Sequence, residues 1–210
     1  LDYRYHGALL SALKKYGPAI EEYGKALEKD SSQIDIWREM AETCELKNDY
    51  AQAIAAYRKY YDALNPDKKT PENLFRLGRL YYGEGVSSDT LAVRRADRAA
   101  ALQMADSLFA LVSRQAPESY LGDMWRARAN SAMDPETTEG LAKPYYEKVM
   151  EMLLAKNEPR YNPILIECYS YLGYYYLLKS DYAASKEYWN KILVIDPGNA
   201  TAQKALDGIK

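Results

Sequence analysis

The decisive stretch lies near the C-terminus: Tyr169-x-x-Leu172-Gly173-x-x-Tyr176, then Ser185-x-x-x-Trp189, Ile192 and Pro197. A small residue set between large ones, followed by a second apolar period, describes two helices meeting at a close contact. The same columns return earlier. Trp37, Met40, Ala41, Cys44, Ala53, Tyr57 and Tyr60 fill them, and Tyr3, His6, Gly7, Leu10, Ala19, Tyr23 and Ala26 fill them again 34 residues before. A third copy opens with Leu74, Leu77, Gly78 and Tyr81, but its second half (Ala105, Phe109, Val112, Pro117) arrives late, so a segment is inserted near 86–97. A fourth copy begins at Trp125 with Arg128, Ala129 and Ala132 and resumes with Ala142, Tyr146 and Val149.

This 34-residue helix-turn-helix pattern resembles the tetratricopeptide repeat. The units run at about 1–33, 34–70, 71–121 with the insertion, 122–162 and 163–199, and a capping helix at 200–210 completes one solenoid domain. The resemblance implies an all-α fold, a right-handed α-α superhelix of antiparallel helix pairs. Small residues at Gly7, Ala41, Gly78, Ala129 and Gly173 let paired helices approach, and aromatic columns fill the space toward the next pair. Asp49-Tyr50 and Asp181-Tyr182 read as starts of second helices, and Asp196-Pro197-Gly198-Asn199 as a stop, turn and start. No stretch shows strand alternation between turn signals.

Composition narrows the chemistry. The chain has 210 residues, with 28 Lys and Arg against 30 Asp and Glu, so no broad basic surface exists for a phosphate backbone and nucleic acid is not expected as a partner. Its apolar runs fall far short of the roughly 20 residues of a membrane span. One histidine, His6, precludes two-histidine schemes, and in the leucine column of the first helix it reads as a packing residue without an apparent partner. Cys44 and Cys168 are expected as free thiols. Gly83-Glu84-Gly85 resembles part of a phosphate loop but lacks the preceding strand and the following Lys-Ser/Thr, and reads as a loop. No catalytic residue, metal or cofactor is expected. The 21 tyrosines against two phenylalanines follow largely from structural columns that accept a half-buried ring.

What remains is a surface. In proteins of this resemblance the first helices of successive units line a concave face that receives an extended peptide or a partner's helix. Carrying its columns across gives Arg38, with Glu42 and Glu45, then Arg76, Arg79 and Tyr82, then Arg126 and Asn130, then Tyr171 and Tyr174. Arg126 and Asn130 share a helix face at four-residue spacing and resemble part of a carboxylate clamp. Tyr171 and Tyr174 depart from that clamp, standing where it would hold an amide and a cation. Intramolecular pairs of these arginines with Glu42, Glu45 and Asp123 are the competing expectation.

Arg94, Arg95 and Arg98 mark a second surface on the insertion, at the start of a long helix expected from Leu91 to Gln115. From Arg76 to Arg128 every basic residue is arginine, which favours bidentate or stacking contacts with an acidic or aromatic partner. The expected function is a non-catalytic protein-interaction scaffold. The alternatives are a self-assembly unit or an accessory domain of a larger exported or enzyme complex. The absence of an initial Met and the likeness to exported tetratricopeptide proteins point toward the bacterial periplasm, with the cytoplasm as alternative.

Overall fold

The computed structural model describes residues 2–87 and 95–209, with side chains for all of these except 95 and 96. Every regular element among them is helical: α1 (Tyr3–Ala12), α2 (Tyr16–Lys29), α3 (Asp35–Leu46), α4 (Tyr50–Ala63), α5 (Pro71–Val86), α6 (Arg95–Gln115), α7 (Leu121–Met133), α8 (Lys143–Lys156), α9 (Asn162–Leu178), α10 (Tyr182–Ile195) and α11 (Ala200–Gly208). Single 3-10 turns at Pro66–Lys68 and Pro159–Tyr161 precede α5 and α9. The described residues group into two compact bodies, Leu1–Leu108 and Phe109–Lys210.

Within the first body, α1 packs on α2, α2 on α3, α3 on α4 and α4 on α5. The small-residue columns explain the closeness. A Cβ on Gly7 would stand 3.0 Å from the Tyr23 ring and 3.2 Å from the Ala19 carbonyl oxygen. Ala41, in the same column, is buried, with Ala53 and Tyr57 of α4 buried beside it in sequence register. The turns share a device as well. Lys14 and Asn48 adopt left-handed backbone at φ 60° and 63°, reversing the chain in two residues before the next helix starts. Asp49 then caps α4, its carboxylate accepting from the Gln52 amide at 3.2 Å.

Gly83-Glu84-Gly85 corrects the sequence reading. These residues are the last turns of α5, not a loop. The glycines serve packing: a side chain on Gly83 would run into the Tyr50 ring, and one on Gly85 would lie 2.7 Å from Leu102 Cδ2. The insertion expected near 86–97 falls mainly outside the described residues, as does the helix start expected at Leu91, and α6 is described from Arg95.

In the second body α7 packs on α8, α8 on α9, α9 on α10 and α10 on α11. Its core joins Met124, Ala127, Tyr146, Val149, Leu153, Leu165, Leu172, Trp189 and Ile192. Ser180 repeats the left-handed turn at φ 59°, and Asp181 repeats the cap, accepting from the Ala184 amide at 3.1 Å. A loop between α7 and α8 is closed differently. The buried Asp134 carboxylate accepts from the backbone amides of Thr138, Glu139, Gly140 and Leu141, at 2.8 to 3.4 Å. Over this core lie α11 and the residue after it, with Ala202 and Ile209 buried and Ala205 and Leu206 packed against it.

Candidate interaction grooves

The first helices of the opening three repeats, α1, α3 and α5, leave grooves between them. The groove between α3 and α5 measures about 920 Å3 and is floored by Tyr57 and Tyr60 of α4. Arg38, Arg76 and Arg79, chosen from the sequence as groove residues, all line it, as do Glu42, Glu45 and Glu72. Three cations and three anions therefore face one space. An adjoining groove of about 480 Å3 between α1 and α3 shares Glu42 and Leu46 with it.

The charges are matched within the chain. Arg76 Nη2 lies 2.5 Å from Glu45 Oε2, bridging α5 to α3. Arg38 holds Glu42 at 3.2 Å and Asp35 at 3.7 Å on its own helix, and its guanidinium is 6.0 Å from the Tyr60 ring centroid. Arg4 of α1 pairs with Glu39 of α3 at 2.5 Å. The competing expectation of pairs with Glu42 and Glu45 is thus realised, and Asp123 is paired with Lys148 at 2.6 Å rather than with an arginine. The pairs differ in how easily they open. Arg38 and Glu42 are 39% and 43% exposed, whereas Arg76 and Glu45 are 32% and 21% exposed. Exposed pairs contribute about 0–1 kcal/mol, so a ligand carboxylate can displace Glu42 from Arg38 at little cost. Tyr82, one turn beyond Arg79 on α5, is half-buried.

The second body treats its expected residues differently. Arg126 lays its guanidinium over Tyr145, 4.2 Å from the ring centroid, and donates to the Tyr145 hydroxyl at 2.9 Å. Asn130 is buried and donates from its amide to the Arg126 carbonyl of its own helix at 2.9 Å. Tyr171 is buried too, its ring 4.6 Å from that of Tyr146 and tilted by 30°, and burial pushes its phenol up to about 12. The side chains of Asn130 and Tyr171 therefore belong to the packing of the second body. Tyr174 remains 40% exposed. Arg128, which fills the leucine column, makes a bidentate pair with Glu167 at 2.8 and 2.9 Å. For the second expected surface, Arg94 and the side chain of Arg95 lie outside the described residues, and Arg98 donates to the Ser87 carbonyl.

Reactive chemistry finds little support in the geometry. His6 does have a partner that the sequence left unseen: its Nδ1 is 2.9 Å from Glu22 Oε2. Glu22 in turn holds Lys25 at 2.6 Å, and the hydrogen bonds from Lys25 and His6 keep its carboxyl below the ordinary value. Both cysteines are free and fully buried, and burial raises Cys44 to about 11 and Cys168 to about 12, away from the thiolate a nucleophile needs. Among the described residues no group of three metal-ligating side chains converges, and no helix is long and apolar enough to cross a membrane.

No protein-family profile and no curated protein matches the chain. Solved structures do. The C-terminal part of a TPR repeat-containing protein from Cytophaga hutchinsonii is 32% identical, covering 97% of this chain and 72% of that one, at a TM-score of 0.76. YrrB, described as a TPR protein with an unusual peptide-binding site, is 16% identical over 98% of this chain and 90% of its own, at a TM-score of 0.62. PilW, a widely conserved type IV pilus biogenesis factor, is 18% identical over 98% of this chain and 84% of its own, at a TM-score of 0.54.

Proposed function

Because this chain belongs to the tetratricopeptide-repeat family, we propose that it is a non-catalytic scaffold that holds an extended segment of a partner protein along the faces of its first helices. The observation carrying this reading is the 920 Å3 groove that Arg38, Arg76 and Arg79 line together with Tyr57 and Tyr60, Arg38 lying 6.0 Å from the Tyr60 ring centroid. Arginines with planar donors above aromatic rings suit a segment that alternates carboxylates with apolar or aromatic side chains. Because Glu42 and Glu45 already engage Arg38 and Arg76, affinity comes from exchanging weak internal pairs for ligand pairs, and ionic strength will tune it. YrrB supports the reading in kind, since that protein has a peptide-binding site.

Selection of a displayed random-peptide library on the wild-type chain and on an Arg38→Glu, Arg79→Glu variant tests it. Acid-bearing sequences recovered only by the wild type support the groove. The same sequences recovered by both would contradict it.

A second reading, edge-to-edge assembly, draws on an exposed stripe along α1 and its C-cap, where Tyr5, Leu9 and Leu13 are 71%, 48% and 58% exposed. Sedimentation separates the two, because assembly through α1 raises the mass with concentration and Leu9→Glu abolishes the rise. The proposal extends to an exported, periplasmic setting, with the cytoplasm as alternative. Its support is the fold likeness to a pilus biogenesis factor. Fractionation of the source cells, with the chain detected by antibody, tests it.

A further inference from the structure

In α3, α5 and α9, two positions of the helix, two and six residues beyond the large residue that opens the unit, meet the unit before. In α3 they are Glu39, which holds Arg4 of α1 at 2.5 Å, and Thr43, whose hydroxyl lies 3.0 Å from that of Ser11. In α5 they are Arg76, paired with Glu45 of α3, and the buried Leu80. In α9 they are Tyr171, against Tyr146 of α8, and Tyr175, whose ring fills the space beside Gly140 in the loop before α8. In α1 the same positions hold Tyr5 and Leu9, with Leu13 one turn further along, and all three are exposed. Large apolar side chains thus stand open in the register that these later helices use for contact.

We infer that this stripe is a docking face for an amphipathic helix that precedes α1 in the same polypeptide and covers Tyr5, Leu9 and Leu13 with apolar side chains. Position names the kind of element: the helix packed on α3 is α2, on α5 it is α4 and on α9 it is α8, in each case the helix just before. Chemistry sets its contact face. Glu39 and Arg76 each meet an opposite charge in the unit before, whereas Tyr5, Leu9 and Leu13 carry none, so aliphatic or aromatic partners gain burial there and a charged one loses hydration. Size sets the source. Three such side chains expose on the order of 300 Å2, against about 800 Å2 per partner in a stable interface between separate molecules. A tethered helix needs less, because its effective concentration is roughly millimolar. The relative from Cytophaga hutchinsonii is longer than this chain, which covers 72% of it, so that protein has length for a further helix pair. The inference is independent of the groove reading: Tyr5 also borders the groove between α1 and α3, but Leu9 and Leu13 do not line it.

Thiol labelling tests the docking face. Cys44 and Cys168 are buried, so Leu9→Cys adds one reachable thiol, and Val194→Cys, at an 85% exposed position, is the control. In the purified 210-residue chain both thiols should react with a maleimide at similar rates. In the protein as its own gene encodes it, labelled in source-cell lysate, Leu9→Cys should react about 100-fold more slowly and Val194→Cys at an unchanged rate. Tyr5→Cys repeats the comparison if Leu9→Cys lowers the helical circular dichroism. A benzophenone amino acid at Leu13 of the same protein should give an adduct within one polypeptide, mapped by mass spectrometry to a helix encoded before Leu1. Leu9→Cys reacting equally fast in both proteins would overturn the inference. So would an adduct joining two polypeptides, which would make a second copy or another protein the occupant, and so would protection of Leu9→Cys in the purified chain that fades on dilution. The Arg38→Glu, Arg79→Glu variant, altered in the first groove, should keep the Leu9→Cys rates unchanged, so the two readings fail separately.

Discussion

Gly173 and Trp189 touch so closely that a methyl group would not fit between them: a Cβ on residue 173 would stand 2.7 Å from Cε2 and 2.9 Å from Nε1 of the indole. The Ser185 hydroxyl fixes the same crossing from the side, donating to the Gly173 carbonyl at 2.7 Å. Helices α9 and α10 are therefore held at the distance that seats Trp189 against Gly173. Gly173→Leu should cost about 1–3 kcal/mol by overpacking, read as a lower denaturant midpoint with an unchanged slope. A variant as stable as the wild type would contradict the contact.

Left-handed backbone at the turns makes a prediction with an internal control. Lys14 carries a Cβ at φ 60°, a conformation that strains a long side chain, whereas Asn48 at φ 63° belongs to a residue type that tolerates it. Lys14→Gly should stabilise the chain by about 0.5–1 kcal/mol, the strain relieved less the entropy added to the unfolded chain. Asn48→Gly should change the melting temperature far less. Equal effects would mean that the turn is unstrained.

Asp134 closes its loop as a carboxylate. Burial pushes its pKa up, but the backbone donors of Gly140, Glu139, Leu141 and Thr138 outweigh burial and hold it below the ordinary 3.8. A depressed folded value means that its contribution is complete above pH 3.8 and is lost as pH falls through the folded value. Asp134→Asn should cost about 1–3 kcal/mol at pH 7 and narrow the gap to wild type in acid. A gap that widens in acid would refute the assignment.

The thiols titrate in the opposite sense. Cys44 at about 11 and Cys168 at about 12 stay neutral in the fold well above the ordinary 9.0. Their contribution is whole below pH 9.0 and declines as pH rises through the folded values. At pH 8 neither should react with a thiol reagent until the chain unfolds, so modification should follow the unfolding transition. Rapid labelling of the native chain would show that one of them is reachable.

The repeat itself was legible because its columns encode packing at fixed spacing. Gly7, Ala41 and Gly173 announce close helix crossings, and Asp49 and Asp181 announce helix starts, each by local chemistry alone. Arg38, Arg76 and Arg79 were legible as neighbours for the same reason, since the register aligns the first helices. Gly83 and Gly85 were misread because glycine signals either a loop or a close contact, and only the positions of Tyr50 and Leu102 decide between them. Tyr171 was taken for an outward residue because α9 is apolar on every side and offers no polar face to orient it. Asn130 misled because a short amide bonds its own helix as readily as a ligand. The partner of His6 lies on another helix, which spacing along one helix does not encode.

Photo-crosslinking from the groove floor tests the central claim most directly. Tyr60 lines the groove of Arg38 and Arg76, and Val194 on α10 is 85% exposed and lines neither groove, so a benzophenone amino acid at each position gives a site and a control. In source cells, the Tyr60 probe should yield one discrete adduct, and mass spectrometry should map it to a short acid-bearing segment of another protein. That adduct should vanish when Arg38→Glu is added. Identical adducts from Tyr60 and Val194, or an adduct that survives Arg38→Glu, would contradict the claim that this groove is the working surface.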